Sequence, residues 1–368
     1  MSILIFIAVL VALIVVHEFG HFVVAKWSGM RVDEFGLGYP PRAMVIGKIG
    51  ETEYTLNWLP FGGFVKIFGE DGKVAETVSD SRAFSARPRI LQALVLVAGI
   101  SMNLLFAYVL ITGALIAGTP RALSDNEIAI AQNVELAVAN VLPGSPAAQA
   151  GLLPGDIILS AEDGHYVFPG TSPEEFTKFI SNGAENTTIA LSVLHPDGKE
   201  ALLFARPTAG IISSDPSRPA LGIEVATIGV VPVSLGAAVV EGARLTWGAT
   251  VLTAEGLWHF FYGIFTLSAD LSQVAGPVGI AGAVGTASTQ GAGYLFSIMA
   301  IISINLALIN LIPIPALDGG RLLFVIIESI IRRPIKPVVA QALNGIGFLF
   351  LILLMLVVTT HDIFKIVG

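Results

Sequence analysis

Apolar residues run long enough to cross a bilayer in four places, at about residues 3–25, 90–118, 294–311 and 343–358. Between the first two runs the pattern changes to alternation. Residues 43–49 and 53–58 alternate apolar and polar positions across Gly50-Glu51-Thr52, which predicts a β-hairpin. A third short run, Phe64-Val65-Lys66-Ile67, follows the pair Gly62-Gly63. From about 125 to 225 the chain becomes less hydrophobic and carries turn signals at the spacing of a small soluble module. Pro143-Gly144-Ser145-Pro146 leads to Pro154-Gly155-Asp156. Ser172-Pro173-Glu174-Glu175 has the form of a capping box with proline at the first helical position, which predicts a helix to about Ser181. Strands at 188–193 and 200–206 flank a turn at Pro196-Asp197-Gly198. Residues 232–290 are glycine-rich and mildly amphipathic. Their stretch 245–267 carries Trp247, Trp258, His259 and Tyr262, a composition suited to a membrane interface, with His259 an interfacial polar group. The expected fold class is an α-helical polytopic membrane protein of four transmembrane helices, with a membrane-associated β-hairpin and an inserted extracytoplasmic α/β domain. Its expected divisions are 1–118, 125–225, 226–293 and 294–368.

Composition agrees with that picture. Of 368 residues, 54% are hydrophobic and 13% charged, and the mean hydropathy is +0.78, which excludes an ordinary soluble protein. A net charge of −8 argues against nucleic acid as a partner. With no cysteine, only His, Asp and Glu remain as candidate metal ligands. Nine Lys and Arg, from Lys26 to Arg89, separate the first two spans, and Arg321, Arg332, Arg333 and Lys336 separate the last two. Both loops should therefore be cytoplasmic, and both termini and the central region should lie outside. The start of the chain lacks the basic leader and cleavage site of a signal peptide, so the first helix should be retained.

Chemistry concentrates in the first span. His17-Glu18-Phe19-Gly20-His21 sets two imidazoles four residues apart, on one helix face, with a carboxylate beside the first. From residue 3 to 25 these are the only ionisable side chains. Each strongly polar group at bilayer depth costs about 2.5–3.5 kcal/mol, so three together call for compensation such as a bound cation. The alternative is a polar helix end exposed at the interface. After the third span, Asn310-Leu311-Ile312-Pro313-Ile314-Pro315-Ala316-Leu317-Asp318-Gly319-Gly320 breaks the helix at two prolines on the same predicted side. Asp318 there can complete a His₂Asp site or cap the next helix. The strands near the motif either hold an extended peptide by backbone pairing or form an ordinary hairpin. Gln92, Ser101 and Asn103 in the second span are expected to bond between helices.

These motifs together resemble the site-2 protease family of intramembrane zinc metalloproteases, and most closely its bacterial branch acting in the extracytoplasmic stress response. The resemblance implies one Zn²⁺ per chain held by His17, His21 and Asp318, with Glu18 catalytic. Gly62-Gly63-Phe64-Val65-Lys66 resembles the family's membrane-associated β-loop, which implies substrate contacts from Gly63, Phe64 and Val65. Asn310, Pro313 and Pro315 beside the helix break are further substrate-side candidates. Residues 143–156 resemble a PDZ domain, and Gly276-Pro277-Val278-Gly279-Ile280 matches another family segment. The chain has room for one PDZ domain, where well-known Gram-negative members carry two, and Ile100 stands where many relatives have proline. The implied activity is that of a metalloendopeptidase of class 3.4.24, cutting single-span membrane proteins, such as an anti-sigma factor after a site-1 protease, or leftover signal peptides. The implied location is the bacterial cytoplasmic (inner) membrane, with the site toward the cytoplasm. The rival readings are a non-enzymatic PDZ scaffold and a membrane metal transporter.

Overall fold

The computed structural model describes residues 2–70, 80–168, 170–182, 187–196, 198–211, 215, 217–266 and 274–367. The chain forms two compact units. Met1–Ala114 and Gly236–Gly368 make one, and Leu115–Leu235 the other. Among the described residues, four helices are long and apolar enough to cross a membrane: Ile3–Trp27, Arg89–Ile116, Ala292–Leu311 and Pro337–Phe364.

The first unit begins with helix α1 (Ser2–Trp27), followed by β1 (Val32–Ile49), β2 (Thr52–Ile67) and helix α2 (Arg89–Ile116). The predicted hairpin closes tightly, with Ile49 opposite Thr52 across Gly50-Glu51. The register then departs from a plain hairpin. Phe35 faces Val65 on one side and Tyr54 on the other, so residues 34–37 run between two stretches of β2. Gly62, with φ of +100°, supports the bend between those stretches. Aromatic contacts fasten this sheet to α1. Phe22 meets Phe35 edge-on at 5.5 Å between ring centroids, and Tyr54 at 6.2 Å. Val32, Ile67, Phe84 and Val95 continue that core around Ala25.

The second unit holds β3 (Arg121–Ala122), α3 (Asp125–Ile128), β4 (Gln132–Val141), α4 (Pro146–Ala150), β5 (Ile157–Glu162), β6 (Val167–Phe168), α5 (Pro173–Asn182), β7 (Ile189–Leu194), β8 (Glu200–Ala205) and β9 (Ile223–Val230). Its strand order is β3-β9-β4-β5-β7-β8, with β6 beside β5. Alternation on β7 buries Ile189, Leu191 and Val193 against Phe176 and Ile180 of α5. Removing each such side chain from water is worth about 1.5–3 kcal/mol. Both short helices start as their sequences require: Ser145 Oγ accepts from Ala148 N at 3.2 Å, and Ser172 Oγ from Glu175 N at 3.4 Å. Buried Asp156 accepts from Leu153 N at 2.9 Å and lies 2.7 Å from His195 Nδ1. The predicted turn ends as a closed loop, His195 N donating to Lys199 O, although Asp197 itself falls outside the described residues.

The first unit resumes with α6 (Leu235–Thr266), α7 (Pro277–Gln290), α8 (Ala292–Leu311), α9 (Asp318–Ile331) and α10 (Pro337–Val367). Among the described residues the region expected at 232–290 forms two helices, and residue 267, the expected end of its aromatic stretch, lies outside the described residues. α6 exposes Trp247, Trp258 and Tyr262. α7 behaves differently: Val284 is fully buried with Val9 and Leu13 of α1. Weak amphipathicity cannot tell a helix on a membrane from one packed in a bundle. Small residues line the α2–α8 contact, with Ala107, Ala300 and Ser303 all fully buried, as close helix packing in lipid requires. The Gly276–Ile280 segment also gains a structural role. Asp362 of α10 accepts from Gly276 N at 3.1 Å and Gly279 N at 2.8 Å, anchoring the start of α7.

Candidate metal centre

α1 sets His17 and His21 on one face, both buried at 6% and 7% exposure. Their Nε2 atoms are 3.1 Å apart, with rings at 84° to one another. Asp318, first residue of α9, points its Oδ2 at both, 2.9 Å from His17 Nε2 and 3.1 Å from His21 Nε2. The helix-cap alternative for Asp318 does not hold. Leu317 occupies the cap position without a side-chain bond, and the Asp318 carboxylate is turned to the imidazoles. The exposed-helix-end alternative for the histidines fails on their burial.

The donor set suits a cation. His21 Nδ1 lies 2.8 Å from Val95 O, a carbonyl that only accepts, so a neutral His21 carries its proton there and offers a lone pair at Nε2. That lone pair faces a carboxylate oxygen. Zinc bonds of about 2.0–2.2 Å separate tetrahedral ligand atoms by about 3.3 Å, close to the spacings seen. Among the described residues these three side chains form a cluster that could hold a metal ion.

The backbone around the cluster is shaped to let it close. A Cβ on Gly99 of α2 would stand against His21 Nε2 and 2.9 Å from His17 Cε1, and one on Gly20 would lie 2.5 Å from Ala98 O. The absence of side chains at both lets α1 and α2 meet at the site. On the other side, the chain between α8 and α9 turns so sharply that a Cβ on Gly319 or Gly320 would run into the carbonyls of Leu311, Ile312 and Ile314. Ala316 takes φ of +81°, a strained value for a residue with a side chain. Asn344 of α10 braces it, accepting from Ala316 N at 3.1 Å.

Glu18 lies apart from the three ligand atoms. Its Oε2 accepts from Val65 N at 3.0 Å, so the outer edge of β2 faces this carboxylate. Gly63 lies against it as well, its Cβ position 3.7 Å from Glu18 Cγ, while Phe64 stacks on Tyr39 at 6.5 Å. Asn310, half-buried, lies in the last turn of α8, and Pro313 and Pro315 form the segment that delivers Asp318. Asn103 of α2 bonds between helices as expected, and its partner on α1 is a residue of the cluster. Its side-chain Nδ2 sits 3.2 Å from His17 Nδ1. Nothing in its local pattern marks it, because the partner is 86 residues away.

Residues 5–354 match the family model of Peptidase family M50. A protein of Clostridium perfringens is 35% identical over 353 residues, covering 96% of this chain and 95% of its own. One from Nostoc is 35% identical over 360 residues, covering 96% and 93%, and one from Synechocystis 32% over 365, covering 97% and 93%. All three bear the name "putative zinc metalloprotease". Among solved structures, the PDZ domain of an SdrC-like protein from Listeria monocytogenes aligns at 26% identity and a TM-score of 0.21. It covers 25% of this chain and 86% of that one.

Proposed function

Given that the chain belongs to peptidase family M50, the site-2 proteases, and is a multi-pass membrane zinc metalloprotease, we propose that it cuts transmembrane segments of single-span membrane proteins with His17, His21 and Asp318 as zinc ligands and Glu18 as the catalytic base. The observation that carries this reading is the convergence of three ligand atoms from α1 and α9 beside a carboxylate that faces an open strand edge. Zinc supplies Lewis-acid polarisation of the scissile carbonyl and brings the pKa of its water toward about 7. Glu18 takes the proton of the attacking water and passes it to the leaving amine. A substrate helix hides its carbonyls in its own hydrogen bonds, so it must unwind before attack. The edge of β2 at Gly63, Phe64 and Val65 offers the unwound segment backbone partners in exchange. Asn310, Pro313 and Pro315 flank the path on the α8–α9 side.

The substrates in this reading are anti-sigma-type proteins already shortened by a site-1 protease, or signal-peptide remnants. The second unit, read as a PDZ domain from its Pro143–Asp156 pattern, filters them from the extracytoplasmic side. The charge of the loops supports a bacterial inner-membrane protein with both termini outside and the site toward the cytoplasm. Vesicles carrying the purified protein and a single-span substrate test the proposal. Wild type should yield fragments ending inside the apolar segment, by mass spectrometry. Glu18→Gln should keep its zinc and yield none. Cleavage surviving that substitution, or cuts confined to the segments outside the bilayer, would overturn it.

A further inference from the structure

Asn103 is completely buried on α2, against the side of the His17 ring that faces away from Asp318. Its Nδ2 is 3.2 Å from His17 Nδ1, and its Oδ1 is enclosed without a hydrogen-bond partner. This orientation matches one tautomer only. An NH₂ group beside Nδ1 needs a lone pair there, which places the ring proton on Nε2, between His17 and Asp318. A His17 that ligates through Nε2 needs the other tautomer, with Nδ1–H and an acceptor beside it. His21 already has that arrangement in Val95 O. Asn103 can supply the same to His17, because a half-turn of an amide exchanges its oxygen and nitrogen with little change of shape.

We propose that Asn103 is the positioning residue for His17, its Oδ1 accepting the Nδ1–H whenever the ion is held. The inference rests on the reading of His17 as a zinc ligand. The same half-turn gives the isolated Oδ1 a donor. The reach of the side chain is set by helix packing, since Asn103 O also accepts from Ser303 Oγ of α8 at 2.8 Å. Charge explains why a neutral acceptor stands here. Asp318 and Glu18 already balance a divalent cation, and a third carboxylate is not needed for neutrality.

The test uses the full chain in detergent, titrated with Co²⁺ against a competing chelator and read by its visible absorption. Asn103→Leu, close in size and unable to accept, should weaken Co²⁺ binding about 10- to 100-fold, with helical content unchanged. Asn103→Asp, which when ionised can only accept, should stay within about threefold of wild type, the margin below that range. Loss of affinity in the Asp variant to the level of the Leu variant would mean that the donor is what matters, and would overturn the proposal. Wild-type affinity in the Leu variant would overturn it too. If Leu at 103 prevents folding, the Asp variant decides alone, a loss of affinity of about tenfold or more overturning the proposal. His17→Ala separates the two readings. Abolished binding there with unaffected binding in Asn103→Leu removes only this inference, while unaffected binding in His17→Ala removes the ligand assignment itself.

Discussion

A single methyl group added at Gly99 would occupy the space of two imidazoles, touching His21 Nε2 and coming within 2.9 Å of His17 Cε1. Backbone cannot yield there, because α1 approaches through Gly20, whose own Cβ position lies 2.5 Å from Ala98 O. Gly99→Ala should therefore cost about 1–3 kcal/mol as overpacking and, more tellingly, displace the histidines. The expected result is a loss of bound zinc out of proportion to the fall in thermal stability, measured as metal per chain beside a melting curve. Gly113→Ala on the same helix is the control. Its added Cβ meets Phe296 at an ordinary 3.4 Å, so zinc content should not change. Equal zinc loss in both variants would mean that helix packing in general, and not this contact, governs the site.

At the scale of elements, β2 is where backbone rather than side chain reaches the chemistry. Val65 N turns away from β1 and is taken by Glu18 at 3.0 Å. Proline is tolerated at such an outward edge position because no ladder bond is lost. Val65→Pro should leave zinc content and the β1–β2 pairing intact while removing the donor that Glu18 holds at rest and that a paired substrate would take over. One net hydrogen bond is worth about 0.5–1.5 kcal/mol, so KM should rise about 2- to 12-fold. A KM unaltered by the substitution would argue against pairing along this edge. Much of this element was legible beforehand: the hairpin turn, the third run and the helix carrying His17 and His21 all follow from periodicity and spacing. The insertion of residues 34–37 between two parts of β2 was not, because pairing register between non-adjacent stretches leaves no mark on either one. The same holds for polar side chains whose partners lie far along the chain. Asn103 with His17, Asp362 with Gly276 and Asp156 with His195 each join residues 39 to 86 positions apart. Asp318 stood between two roles in sequence for a related reason, since both begin with an acidic residue before Gly-Gly, and only the position of α1 separates them.

Over the whole molecule, the His17, His21 and Asp318 cluster joins α1 to α9, with Asp318 lying 301 and 297 residues from the two histidines. An ion bound by the folded arrangement alone stabilises it by mass action, about 2.7 kcal/mol at one hundred times its dissociation constant. That stabilisation belongs to the elements supplying the ligands. The second unit carries its own core around Leu136, Phe176 and Leu191, with no ligand among those residues. Zinc removal should therefore act unevenly. Hydrogen exchange followed by mass spectrometry, on full-length protein in detergent with and without chelator, should show faster exchange in peptides from the last turns of α1 and from residues 312–322. Peptides from β5 and β7 should be unaffected, and restoring zinc should reverse the change. Asp318→Ala should exchange at the chelated rate in both conditions. Protection lost equally from both units would mean that they unfold as one, and protection lost from neither would leave the ion without a structural role.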